Sequence, residues 1–184
     1  MLISCQNMDF LTHNQKEYIR ELERRNELRR SLTLPIGLSI LFGGAIYSLM
    51  AGFSWSDEPV LAVYAFVTAS VPASVFWASA VLFLIKSHIG YEYAYMPTAK
   101  ELEEYKEKLV DFYKEIAQED ISDQDVRDHL RKEYADNAHH NCLNNNTKAA
   151  ELHKANVRFV GVLLFLGLMS LISISQPFLE VFYG

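Results

Sequence analysis

Apolar and polar positions are segregated along this chain into long blocks. Leu34 to Phe53 and Val60 to Ile85 are two runs without a charged residue, separated only by the loop Ser54 to Pro59. Each can form a helix that crosses a bilayer, since about 20 helical residues at about 1.5 Å each match a hydrocarbon core of about 30 Å. The pair predicts a transmembrane hairpin. A third apolar segment of 17 residues, Phe159 to Ser175, is just long enough to span, with the apolar tail beyond Pro177 in the outer interface.

The polar blocks show helical periodicity. Residues 8–31 predict a helix with Thr12 or Asn14 as N-cap, few apolar positions (Tyr18, Leu22, Leu28), and Glu17 and Glu21 spaced to pair with Arg20, Arg24 and Arg25. Thr98 and Glu101 form a T-x-x-E capping box. The helix behind it runs to about Gln118, with Leu102, Tyr105, Leu109, Phe112, Tyr113 and Ile116 on one face. After the acidic turn Glu119 to Asp123, with Ser122 and Asp125 as start signals, neither Pro nor Gly occurs before Gly161. One helix can therefore run from Asp123 into the third apolar segment. Along it Ala135, Ala138, Cys142, Asn145, Ala149, Leu152, Asn156 and Phe159 recur at alternating steps of three and four, a heptad seam in which small residues and Asn replace Leu and Ile. Such a seam predicts close backbone approach and fixed register, and is expected where subunits meet.

Small residues also form stripes in the spans. Gly44, Ser48 and Gly52 share one face of the first span. Ala65, Ala69 and Ala73, and Ser70, Ser74 and Ala78, form two faces of the second, which Pro72 is expected to kink. A hairpin needs one stripe per arm, so the surplus predicts contact between subunits. Ser70, Ser74 and Thr68 are also polar enough to line a wet path. Lys86 and Arg158, with Tyr91, Tyr93 and Tyr95, are expected at the cytoplasmic membrane interface, and Trp55 at the opposite one; Trp77 is a packing residue.

Charge fixes an orientation for this plan. All 17 Lys and Arg lie between Lys16 and Arg30 or between Lys86 and Arg158, whereas the loop 54–59 and the tail after Ser175 carry only Asp57, Glu58 and Glu180. The positive-inside rule then places the N-terminus and the middle block in the cytoplasm and the C-terminus outside. The expected fold is an all-α, multi-pass inner-membrane protein with three transmembrane helices and a cytoplasmic helical layer. Its parts are an N-terminal helix (1–31), a hairpin (32–87), a cytoplasmic helical region (88–156) and a third span with outer tail (157–184). A cleavable signal peptide is not expected, because about thirty polar residues precede the first apolar run. Cys5 and Cys142 are expected as reduced thiols.

The net charge of −6 and the mixed signs of both polar blocks argue against nucleic acid as a partner. His139, His140, Cys142 and His153 lack the second donor pair of a structural zinc site, so no metal and no cofactor are expected. Seven residues separate Arg131 from His139, outside the Arg-x4-6-His spacing of helical RNases. No phosphate loop, nucleophile elbow or carboxylate pair is present, and no charge lies within the spans for a proton relay, so the chain is not expected to be an enzyme or a transporter.

A polar N-terminal helix, a tight two-span hairpin and a helix following it from Lys86 to Gln118 resemble, in architecture, the SLATT-type small transmembrane effectors of bacterial defence systems, over residues 8–155. The resemblance implies a homo-oligomeric pore-like or membrane-perturbing protein acting in anti-phage defence. Its partners would be the lipid bilayer, further copies of the chain and a cytoplasmic sensor or enzyme. A non-conducting scaffold that anchors and regulates a cytoplasmic enzyme is the alternative.

Overall fold

The computed structural model describes residues 10–55, 60–116 and 122–183, with their side chains except at 113–116, 122–123 and 176–183. It contains the helices α1 (Phe10–Ser31), α2 (Thr33–Gly52), α3 (Val60–His88), α4 (Ala99–Ile116) and α5 (Ser122–Tyr183), and no strand among the described residues. Expectations for Cys5, Asp57, Glu58 and the 119–121 turn, and for the side chains of Tyr113, Ile116 and Glu180, fall outside what is described.

The helix boundaries follow local chemistry. Because α1 begins at Phe10, Thr12 and Asn14 lie inside it and are not its caps, and Asn14 instead donates to the Arg131 carbonyl at 3.0 Å. Only Leu32 separates α1 from α2, and its backbone is itself right-handed helical (φ −71°, ψ −22°). Pro35 supplies no N–H for the Ser31 carbonyl, which interrupts the bonding there. Pro72 lies inside α3, which continues to His88. Gly90 then adopts φ +90°, a left-handed turn that favours glycine, and releases the chain into a strap without regular secondary structure over residues 91–97. The missing breakers after Ser122 have the expected result: α5 is a single helix of 62 residues. It continues beyond Ser175 to Tyr183.

The N-terminus of α4 carries the expected box. Glu101 Oε2 accepts from the Thr98 backbone N–H (2.7 Å) and hydroxyl (2.9 Å), while the Glu101 N–H donates to Thr98 Oγ1 (3.3 Å). These bonds hold the Glu101 carboxyl below its ordinary value of 4.5. A depressed carboxylate stabilises the fold above its unfolded pKa, and that contribution fades as pH falls through the folded value. Amide protection at the start of α4 is therefore expected to drop below pH 4.5 in the native chain. In Glu101→Gln, hydrogen exchange should show weaker protection at neutral pH and no such step.

The chain divides into two compact units. The first comprises the described residues of Met1–Glu27 and Tyr91–Asn146; the second comprises those of Leu28–Gly90 and Thr147–Gly184. In the second unit α2 and the C-terminal part of α5 both run antiparallel to α3. Ser39 meets Trp77 and Phe53 stacks on Phe66, while on the other side Phe76 meets Gly161 and Phe165, and Lys154 lies over Phe83. Phe66, Ala73, Ala80, Ala155, Val162 and Met169 are fully enclosed at the centre.

Two glycines set the helix approaches in this unit. A Cβ on Gly43 would lie 2.9 Å from the Trp77 ring, so only glycine admits the indole, whose Nε1 then donates to the Ser39 carbonyl one turn earlier at 2.7 Å. A Cβ on Gly161 would lie 3.0 Å from Phe76, whose ring stacks on Phe165, with centroids 5.8 Å apart.

The outer surface of the same unit is apolar. Tyr47, Leu61 and Leu164 are 75%, 80% and 66% exposed, and Leu34, Ile40, Leu41, Val75, Leu171 and Ile174 are exposed with them. Three helices, within Phe10–Gly52, Val60–His88 and Gln124–Ser175, are long and apolar enough to cross a membrane. The antiparallel order also collects every Lys and Arg of the unit (Arg29, Arg30, Lys86, Lys148, Lys154, Arg158) toward one end: the start of α2, the end of α3 and the entry of α5.

Candidate functional site: a polar clamp and an open small-residue face

The densest polar constellation lies in the first unit, where α5 grips the strap through its asparagines. Met96 precedes Pro97 and is thereby biased to extended backbone, so the strap presents its peptide groups sideways. Asn141, fully buried, pairs with both backbone groups of Ala94: the Ala94 N–H donates to Oδ1 and Nδ2 donates to the Ala94 carbonyl, each at 2.9 Å. Asn144 Nδ2, one turn on (2.5 Å), and His140 Nε2, from the preceding residue (2.9 Å), meet the Glu92 carbonyl. One turn back, Asn137 reaches the Tyr95 carbonyl at 3.4 Å, and the Met96 N–H donates to Tyr18 Oη at 3.1 Å.

Asn145, also fully buried, ties this clamp to α1. Its Nδ2 donates to the Glu21 carbonyl (2.7 Å) and to Glu21 Oε2 (2.9 Å), and its Oδ1 accepts from the Tyr93 hydroxyl (2.7 Å). Glu21 is 3% exposed, and Arg24 at 3.5 Å and Arg20 at 3.8 Å complete the neutralisation of its carboxylate. Burial raises the Tyr93 pKa above 10.0, against the lowering effect of Arg25, whose guanidinium lies 4.6 Å from the ring centre. The clamp is thus a closed set of donors and acceptors. It fastens the backbone of residues 92–96 to α5 and α1.

The expected site residues fall into separate places. Ala138 and Asn145 are buried on the inner face of α5, but Cys142 and Ala149 are half-buried and Asn156 is exposed. The buried stripe passes instead through Ala138, Asn141, Asn145, Ala155, Phe159, Val162, Leu166 and Met169. It keeps Ala138, Asn145 and Phe159 of the expected seam and moves alternate positions back by a residue, from Cys142 to Asn141 and from Asn156 to Ala155. Asn145 makes its bonds to Glu21 and Tyr93 within the chain.

In the second unit Gly44, Ser48 and Gly52 are all exposed, and a Cβ on Gly44 or Gly52 would meet nothing within 4 Å. The α2–α3 approach uses Gly43, one residue away. Ser70 is buried with its hydroxyl on the Val67 carbonyl (3.2 Å), Ser74 bonds the Ser70 carbonyl (2.9 Å), and Ala78 is exposed. Thr68 is exposed and bonds the Tyr64 carbonyl at 2.7 Å. Ala69 and Ala73 are buried and Ala65 is not.

Of the expected interface residues, Lys86 and Arg158 are exposed at the cationic end of the second unit. Trp55, 46% exposed, packs on Phe53 and Phe66 and donates to the Met50 carbonyl at 3.2 Å. Tyr93 and Tyr95 have protein partners, Asn145 and Arg25, and Tyr91 begins the strap half-buried. Among the described residues no three His, Cys, Asp or Glu side chains gather to hold a metal ion.

Reasoning from sequence missed Asn137, Asn141 and Asn144; the pairing of Glu21 with Arg24 is present as expected, but its burial beside Asn145 was not foreseen from the spacing. The signal was the recurrence of Asn at i, i+4 and i+7 inside a helix, where Asn is a weak former. No protein-family model, curated protein or solved structure matches the chain.

Proposed function

We propose that the chain is a homo-oligomeric membrane protein that opens or perturbs the bilayer, with its N-terminus in the cytoplasm, its C-terminus outside, and copies meeting on the Gly44–Ser48–Gly52 face. The observation that carries the reading is the state of that face. In lipid, helices associate through close packing of small residues, because exposed Leu and Val gain nothing by leaving acyl chains. The hairpin leaves one such stripe open in the middle of an apolar surface. Collection of the unit's cations at one end supports the orientation, since that end resists translocation. The defence setting comes from the SLATT-like architecture.

Purified protein reconstituted in dye-loaded liposomes tests the reading. The native chain is expected to release dye and to run as an oligomer in mild detergent. Ser48→Leu, which places bulk at the centre of the stripe, is expected to weaken association about tenfold, the equivalent of about 1.4 kcal/mol, and to reduce release in step. Release by a monomer, or an oligomer that survives Ser48→Leu unchanged, would exclude this face.

A further inference from the structure

The cationic end of the second unit holds three of its charges over aromatic rings. Lys86 Nζ on α3 lies 5.9 Å, and Lys154 Nζ on α5 lies 5.6 Å, from the centroid of the same ring, Phe83. Arg158 Cζ lies 5.5 Å over Phe76, two turns deeper along α3. The rings are fixed. Phe83 packs on the buried core, and Phe76 occupies the space left by Gly161 and stacks on Phe165. A cation over a ring face is oriented and partly desolvated, at a cost in water that suits a ligand supplying the missing anion.

The charges are largely uncompensated. Among the described residues neither Lys86 nor Arg158 forms an ion pair, whereas Lys154 is bonded to Glu151 at 2.5 Å. Both helices continue away from these cations as exposed apolar surface, through Val75 on α3 and Leu164 on α5. Two anchored free cations, a third shared with one carboxylate, and an apolar flank leading away from them match a phosphate that carries acyl chains better than a free anion.

We propose that Lys86, Lys154 and Arg158 bind the phosphodiester of an anionic glycerophospholipid where α3 and α5 meet, with its acyl chains along the apolar flank. The site rests on the membrane reading given above. If that reading fails, the chain is recovered in the soluble fraction after alkaline carbonate extraction, a result separate from any lipid preference.

The experiment uses the full chain in neutral detergent. Dioleoylphosphatidylglycerol, dioleoylphosphatidylcholine or sodium phosphate is added, and bound lipid is counted by native mass spectrometry beside the thermal shift. Phosphatidylglycerol is expected to bind preferentially and to raise the melting temperature. Lys86→Gln and Arg158→Gln should each reduce the preference about fivefold, the effect of one Lys or Arg on anionic-lipid attraction, while Lys86→Arg retains it. Lys100→Gln with Lys106→Gln removes equal charge from the first unit and should leave the preference intact. Equal binding of both lipids, or a preference untouched by the double variant of Lys86 and Arg158, would overturn the site. So would a thermal shift by inorganic phosphate equal to that by phosphatidylglycerol and lost in the same variant, which would make the ligand a free phosphate.

Discussion

Asn145→Leu is expected to cost the first unit about 3 kcal/mol while leaving subunit number unchanged. The substitution removes two donors from Glu21 and the acceptor of the Tyr93 hydroxyl, all in a place closed to water. A buried polar group left unsatisfied costs about 1–3 kcal/mol, and more when charged, so the Glu21 carboxylate dominates the loss despite Arg20 and Arg24. Leucine is close to asparagine in size, so the effect is one of lost bonds rather than a cavity. Asn156→Leu, at an exposed position next to the buried Ala155 and one turn from the buried Phe159, should change stability by no more than about 0.5 kcal/mol. Thermal unfolding and size-exclusion light scattering of both variants decide the matter. A larger oligomer from Asn145→Leu would return this position to a subunit interface.

The second large effect separates two adjacent glycines. Gly43→Ala places a methyl 2.9 Å from the Trp77 ring and displaces the indole from the Ser39 carbonyl, an overpacking expected to cost about 1–3 kcal/mol. The indole N–H would then lie unpaired in an apolar surround, which adds to the loss. Gly44→Ala meets nothing within 4 Å and should instead stabilise the isolated chain by up to about 1 kcal/mol, because alanine is the better helix former. In a Trp55→Phe background the emission of Trp77 should shift in Gly43→Ala and not in Gly44→Ala. The same shift in both would mean that the hairpin does not cross at Gly43.

Why the large features were readable and the clamp was not comes down to scale. Spans and long helices are statements about about twenty residues at a time, and the uncharged runs, together with the absence of Pro and Gly from Ser122 to Val160, could be satisfied in few ways. The buried face of α5 depends on a single step of about 100°. A seam through Cys142 and Asn156 and one through Asn141 and Ala155 obey the same alternation of threes and fours. What selects the second is tertiary: Ala94 offers both of its backbone groups to an amide at 141, which a thiol at 142 could not pair.

The strap carried its own sign. Tyr91, Tyr93 and Tyr95 alternate with period two and end at Pro97, the pattern of extended chain, although the same aromatics equally suit a membrane interface. Gly43 illustrates the opposite case. Gly44, Ser48 and Gly52 form the regular stripe, yet the indole of Trp77 sought the one neighbouring glycine that also brings a carbonyl within reach. No periodicity encodes that choice.

Orientation across the bilayer is the claim on which the rest depends, and thiol labelling reads it directly. In a cysteine-free chain, single cysteines at Asp57, between the first two apolar runs of the sequence, and at Lys100, at the exposed start of α4, are exposed in turn to a membrane-impermeant maleimide on intact cells. The account predicts that Asp57→Cys labels at once and that Lys100→Cys labels only after the membrane is permeabilised. Labelling of Lys100→Cys in intact cells, or of neither position before permeabilisation, would contradict it.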